Sequence, residues 1–241
     1  MDLTRQAVGE LTALRELPFV DCGRSLVVTI ATLLPRSMPP RPKEIVAVQE
    51  ASMSAEVTSV KDRSDDVLAR RAGLGDRSSF AEIFDRHGAA LYRYAVRMLN
   101  GDHQSAEDAV QETMTKAWLK LDRFRGDSSL RTWLFRLVAN ECIDSLRRRR
   151  PIAVGDDLIS VLSREAAPGP HDVASVLELQ EALDKALLEL PWRQRAAWML
   201  REVEDLSYAE IAEVLDTSLA VVRGQLHRAR ATLAIRMAEW R

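Results

Sequence analysis

Residues 105–121 read SAEDAVQETMTKAWLKL, and the rest of the chain is understood from this stretch. Ala106, Ala109, Val110, Thr113, Met114, Ala117, Trp118 and Leu121 recur three and four residues apart. That period belongs to an α-helix with one buried face. Ser105, with Asp108 behind it in the first turn, is the expected N-cap, because a hydroxyl satisfies an orphan N–H and the helix dipole favours an acid there. The opposite face carries Asp108, Gln111, Glu112 and Thr115, an ordered acidic and amide surface. A solvated outer face would explain that much for an isolated helix. The neighbouring segments ask more of it.

Downstream lies a tight polar loop, Arg123-Phe124-Arg125-Gly126-Asp127-Ser128-Ser129. Asp127 or Ser128 is expected to cap the next helix, which runs from Leu130 to about Arg150. Leu130, Leu134, Leu137 and Val138 share its core face. Trp133, Arg136, Asn140, Asp144 and Arg147 fall on a neighbouring stripe, and Arg147 to Arg150 close the helix. Basic residues at a helix C-terminus are favourable for the dipole alone. The stripe also offers what an opened DNA strand needs: donors for phosphate, an amide for base edges and rings for stacking. Upstream, Val67, Leu68 and Ala72 predict a short helix ending at Gly73 or Gly75. Ser79 with Glu82 has capping-box spacing ahead of a stripe from Phe80 to Leu99. Gly88 is a candidate interruption, and Asn100-Gly101-Asp102 carries a turn signature.

Pro151 stops the arginine-ended helix. Residues 151–175, with Gly155, Pro168, Gly169 and Pro170 beside Asp156, Asp157 and Glu165, read as an acidic linker. After it, Val176, Leu179, Leu183, Ala186, Leu187 and Leu190 predict an amphipathic helix, and Pro191 is placed to be the first residue of another. The last informative stretch is LSYAEIAEVLDTSLAVVRGQLHRARATL, residues 206–233. Ser207 and Glu210 form a capping box, Ile211, Ala212 and Leu215 face inward, Asp216-Thr217 turns the chain and Ser218 caps a second helix. Val222, Leu226, Ala229 and Leu233 are its buried stripe. Ala220, Arg223, Gly224 and His227 lie opposite, flanked by Arg228 and Arg230. Two short helices, a tight turn and a second helix presenting small residues and arginines match a helix-turn-helix.

The fold class is therefore all-α: two small helical domains, residues 62–150 and 176–241, joined by a flexible linker at 151–175. An N-terminal extension, residues 1–61, precedes them. Its Pro35, Pro39, Pro40 and Pro42 break regular structure. It reads as an extension with no fold of its own, as a regulatory arm masking the rest, or as the consequence of a true start at Met53. The net charge of −2 conceals segregation, with arginines at 147–150 and 223–230 and acids between 155 and 189. Local basic patches decide polyanion binding more than net charge does. Cys22 and Cys142 have no metal or disulfide spacing, and no apolar run reaches the roughly 20 residues that span a bilayer. A cytoplasmic protein without membrane insertion is expected. There is no P-loop, dinucleotide fingerprint, HExxH or GxSxG motif. Glu107, Asp108 and Glu112 have no histidine at ligand spacing. No enzyme, metal, cofactor or small-molecule substrate is expected.

Three motifs, SAEDAVQETMTKAW, DRFRGDSSLRTWLFRLVANECIDSLRRRR and LPWRQRAAWMLREVEDLSYAEIAEVLDTSLAVVRGQLHRARATL, together resemble the extracytoplasmic-function (group IV) sigma factors of bacterial RNA polymerase. The resemblance covers about residues 62–236. It implies sigma region 2 at 62–150 and region 4 at 176–241, with no region 3. It further implies that Asp108, Gln111, Glu112 and Thr115 dock on the coiled coil of the polymerase β′ subunit. By the same resemblance Phe124, Arg125, Asp127, Ser128, Trp133, Arg136, Asn140, Asp144 and Arg147 hold the −10 element and capture a flipped base. Ser218, Ala220, Arg223, Gly224, His227 and Arg228 read the −35 element of promoter DNA, and Pro191 to Val203 meet the β flap. An anti-sigma factor is a further implied partner. The family commonly has serine and arginine where this chain has Gly224 and Gln225, and glycine and threonine at Ala220 and Val221, so the −35 preference is expected to differ. The alternative reading is a helix-turn-helix regulator that acts without being a polymerase subunit.

Overall fold

The structure is a computed structural model that describes residue 60, residues 63–149 and residues 176–238. The readings of the extension before residue 60 and of the linker at 151–175 lie outside these residues. Every described element is helical, so the architecture of the described residues is all-α. The described residues divide into two compact units, one of residues 60–96 and 102–145, the other of 97–101 and the chain from 146 onward.

In the first unit, α1 spans Asp65–Gly73, with Asp65 and Asp66 in its first turn and Arg70 and Arg71 in its last, the arrangement the helix dipole favours. Asp65 ties it to the next helix. Its carboxylate accepts from Arg86 at 3.0 Å and lies 2.9 Å from His87 Nε2. The His87 bond, against partial burial and with help from Arg86, holds the Asp65 carboxyl below its ordinary range. Gly75, at φ +100°, turns the chain out of α1.

The next helix, α2, spans Arg77–Met98. It begins two residues before the expected cap, and the Ser79–Glu82 capping box does not form. Asp76 does the capping instead. It accepts from the backbone N–H groups of Ser78 and Ser79, from both serine hydroxyls and, at 2.7 Å, from Arg71 Nε. A carboxylate accepts more strongly than a hydroxyl, and here it has five donors to satisfy it. Glu82 pairs with Arg86 at 2.8 Å instead. Gly88 does not interrupt the helix. It makes room for the Phe84 ring, whose edge lies 3.3 Å from where a β-carbon would stand.

Asn100 and Gly101, both at positive φ, make the predicted turn into α3, His103–Lys120. Its cap is Asp102, which accepts from the Ser105 N–H at 3.1 Å, rather than Ser105 itself. The predicted core stripe of α3 is buried throughout, from Ala106 to Leu121. Thr113 tolerates burial because its hydroxyl donates to the Ala109 carbonyl at 2.7 Å. Trp118 packs edge-on against Phe80, with ring centroids 5.1 Å apart. A 3-10 turn, Leu121–Arg123, leads into the polar loop.

Helix α4 spans Leu130–Arg149. Neither Asp127 nor Ser128 caps it. The Thr132 N–H donates to Ser129 Oγ at 3.0 Å, and that hydroxyl is also 2.8 Å from Thr132 Oγ1. Leu130, Leu134 and Val138 are buried as expected, and Phe135, Ala139 and Cys142 join them, whereas Leu137 is only half-buried. Burial pushes the free Cys142 thiol well above its ordinary pKa, so it behaves as a small apolar side chain.

The second unit holds α5 (Val176–Leu188), α6 (Trp192–Trp198), a π-helical turn (Met199–Val203), α7 (Tyr208–Val214) and α8 (Leu219–Arg236). Pro191 stands one residue before α6, at the N-cap. The π turn has no counterpart in the sequence periodicity. The Glu204 N–H reaches five residues back to the Met199 carbonyl, and the Leu206 N–H six back to Leu200. Asp205 then turns at φ +53°. The capping box at α7 forms as predicted: the Glu210 N–H donates to Ser207 Oγ and the Ser207 N–H to Glu210 Oε2. Ile211 and Val214 are the buried residues of α7, while Ala212 and Leu215 are half-buried. Ser218 caps α8, and Val222, Leu226, Ala229 and Leu233 are buried, as predicted.

Candidate nucleic-acid interface

Burying one stripe of α3 leaves the other outward. Asp108, Gln111 and Glu112 are exposed, and Thr115 is half-buried with its hydroxyl donating to the Gln111 carbonyl at 2.9 Å. The adjacent cation does not neutralise this face. Lys116 Nζ reaches across to Glu141 on α4, at 2.5 Å, and so ties the two helices together. What remains outward is acids and an amide, suited to a basic protein surface.

Around the α3–α4 loop the predicted residues stand as follows. The Phe124 ring meets the Trp133 ring at 5.3 Å between centroids, tilted by 50°, and both side chains are half-buried. Gly126, at φ +78°, makes the bend that brings Phe124 back over the first turn of α4. Arg125 and Asp127 are exposed beside it, and Ser128 is half-buried. Along α4, Arg136, Asn140, Asp144 and Arg147 are all exposed on one stripe that starts at Trp133. The result is an aromatic pair at one end, an amide midway and guanidinium groups along the line, the combination that stacks bases and neutralises phosphates. Sequence reasoning missed Arg131. Its guanidinium covers the Phe135 ring at 5.3 Å and shields the buried core beside the stripe.

On α8, Ser218, Ala220, Arg223, His227 and Arg228 are exposed and Gly224 is half-exposed. Arg228 Nη1 lies 3.5 Å from where a β-carbon on Gly224 would stand, so the guanidinium folds back over the glycine toward the start of the helix. Arg230, predicted to flank this face, is engaged elsewhere. It donates to Glu202 Oε1 from Nε at 3.0 Å and from Nη2 at 2.6 Å. Although burial opposes it, the hydrogen bonds to Glu202 and Tyr208 raise the Arg230 pKa. This pair fastens Glu202, within the π turn, to α8. Arg201 supports the same turn, donating to the Leu206 carbonyl at 2.9 Å and lying over the Tyr208 ring. The exposed apolar residues Leu219 and Val221 at the tip of α8 were also unforeseen.

The hollow lined by Trp192, Leu215 and Val221, among others, measures about 10 Å³, space for a single water. Among the described residues, no group of three or more His, Cys, Asp or Glu side chains is placed to hold a metal, and no helix is long and apolar enough to cross a membrane.

Comparison with known proteins accounts for both units. Residues 83–152 match the sigma-70 region 2 family and residues 180–233 match the sigma-70 region 4 family. The chain is 32% identical over 167 residues to the ECF RNA polymerase sigma factor SigW of Bacillus subtilis, covering 66% of this chain and 89% of that protein. It is 35% identical over 175 residues to SigM of Mycobacterium tuberculosis strain H37Rv, covering 72% and 84%. Among solved structures it is similar to CnrH in complex with the cytosolic domain of CnrY, at 30% identity and TM-score 0.55, covering 72% of this chain and 97% of that one. It is also similar to the sigma factor RpoE of Bartonella quintana in complex with the anti-sigma factor NepR, at 30% identity and TM-score 0.52, covering 66% and 96%. A helix-turn-helix regulator working apart from polymerase would need only the second unit, and would leave the region 2 match unexplained. With both regions present in order, the chain belongs to the extracytoplasmic-function sigma factors of the sigma-70 family, which direct RNA polymerase to promoters.

Proposed function

We propose that the three exposed faces divide the work of a sigma factor among them. Asp108, Gln111, Glu112 and Thr115 on α3 dock on the coiled coil of the polymerase β′ subunit, acid to base. Phe124, Arg125, Asp127 and Ser128 with Trp133, Arg136, Asn140, Asp144 and Arg147 hold the non-template strand of the −10 element. A base flipped from the duplex stacks against the aromatic pair, which offsets the few kcal/mol of unpairing. The α8 face with Ser218, Ala220, Arg223, Gly224, His227 and Arg228 enters the major groove at the −35 element. The segment from Pro191 to Val203 meets the β flap. The chain performs no chemistry of its own, works in the cytoplasm, and is held in reserve by an anti-sigma factor, as the similar RpoE is found in complex with NepR.

The observation that carries this reading is the Phe124–Trp133 pair, half-buried at 5.3 Å and continued by exposed Arg136 and Asn140 on the same helix. A solvated helix face has no use for two apolar rings at the mouth of a polar loop. The test is binding of holoenzyme to a labelled single strand carrying the −10 element of a promoter it transcribes. Trp133→Ala is expected to weaken that binding by about 1–3 kcal/mol, the value of one base–aromatic stack, while leaving affinity for core polymerase unchanged. Equal binding by wild type and Trp133→Ala would contradict the role of the ring pair.

A further inference from the structure

The last residue of α1 lies against the turn that launches the −10 loop. A β-carbon built on Gly73 would stand 2.9 Å from the Leu121 carbonyl oxygen, 3.3 Å from its carbonyl carbon and 3.5 Å from Asp122 Cα. Real β-carbons do not approach backbone that closely, and here backbone, not a yielding side-chain tip, is in the way. The Leu121 carbonyl also accepts the Phe124 N–H at 3.2 Å and thereby closes the 3-10 turn. Phe124 leaves that turn extended, and its ring meets Trp133. A continuous chain of contacts thus runs from Gly73 to the Leu121 carbonyl, to the Phe124 N–H and to the ring pair. At its other end α1 is anchored to α2 through Asp65, Arg86 and His87, so Gly73 cannot simply drift away.

We propose that Gly73 is a positioning residue for capture of the −10 strand: its missing side chain lets α1 seat on the Leu121 carbonyl, and this contact fixes where Phe124 presents its ring to Trp133. The proposal rests on the reading of the loop as the −10 contact. Leu74, the next residue, is 89% exposed and takes no part. A displacement of an ångström at a preorganised site costs up to about a hundredfold in function, far more than a surface substitution does.

The experiment uses the full chain assembled with core polymerase, probed with a single-stranded −10 oligonucleotide from a promoter the holoenzyme transcribes. Gly73→Ala is expected to weaken oligonucleotide binding between about tenfold and a hundredfold, with affinity for core polymerase and for −35 duplex unchanged, and Leu74→Ala is expected to bind as wild type. A double-mutant cycle separates positioning from general damage. If Gly73 acts through Phe124, Gly73→Ala adds no further loss to Phe124→Ala; a structural lesion adds in full, and that result overturns the proposal. Should Gly73→Ala fail to fold, Asp122→Gly loosens the same turn from its exposed side and must show the same non-additivity with Phe124→Ala. Loss of binding in Phe124→Ala and Trp133→Ala together with full binding by Gly73→Ala overturns the proposal alone. Full binding by Phe124→Ala and Trp133→Ala overturns the loop reading and the proposal with it.

Discussion

Arg228 and Arg230 are two residues apart on one helix and carry the same charge, yet the structure gives them different work. Arg228 lies outward over Gly224, whereas Arg230 grips Glu202, whose side chain is 9% exposed. Arg223→Ala is expected to cost about 1–3 kcal/mol on the cognate −35 duplex and much less on scrambled DNA, if Arg223 reads a base pair. Arg230→Ala is expected instead to lower the thermal stability of the second unit, because it strands a largely buried carboxylate; calorimetry on the full chain checks it. No periodicity distinguishes these arginines, since the difference is set by Glu202 lying 28 residues away in sequence. Asp76 offers a pH test. Burial opposes ionisation, but the hydrogen bonds from Ser78, Arg71 and Ser79 outweigh it and lower the Asp76 carboxyl from its ordinary 3.8 to about 2. A depressed folded-state pKa means stabilisation that is fully present above the unfolded value and lost as pH falls through the folded one. The contribution therefore drains away between about pH 4 and pH 2. Asp76→Asn is expected to have a shallower loss of melting temperature across that window, and an unchanged slope would show that other carboxylates carry the acid limb.

Among elements, legibility depended on whether the signal was local. The buried stripes of α3 and α8 and the capping box of α7 involve residues within a few turns of each other, and all appear where periodicity and spacing put them. Three caps in the first unit differ from the expected ones. The expected caps follow template spacing, whereas Asp76 and Asp102 are anionic acceptors sitting at the turn itself, and Ser129 lies one residue nearer the helix than its rivals. The π turn is invisible in the sequence because one extra residue per turn leaves no distinctive pattern over five residues. The ring pair joins Phe124 on the loop to Trp133 on α4, and neither residue type announces that contact. Capping can be tested directly. Ser207→Ala removes the hydroxyl half of the α7 cap and is expected to cost about 1 kcal/mol of stability in chemical denaturation, with the helix-turn-helix still formed. No change in the denaturation midpoint would mean that Glu210 alone suffices as a cap.

Across the whole molecule, the proposed division of duties between the two units is open to test by mutating one surface at a time. The family and its two regions were legible from three motifs in order, because each motif fixes a core face and leaves an unusual outward one. Which outward residues bear the load was less legible, since exposure alone does not distinguish a contact from a solvated side chain. Glu112→Arg with Gln111→Ala cancels the negative charge of the Asp108, Gln111, Glu112 and Thr115 face of α3 without touching its buried stripe. It is expected to lower affinity for core polymerase at least tenfold with an unaltered melting temperature; retained affinity would refute the docking face. The most direct measurement of promoter-directing function is run-off transcription by core polymerase on promoter fragments, with this chain, without it, and with a variant carrying Trp133→Ala and Asn140→Ala. Discrete new start sites that require the chain and fade in the variant are the expected result. Transcripts no different from those of core polymerase alone, or start sites indifferent to both substitutions, would contradict it.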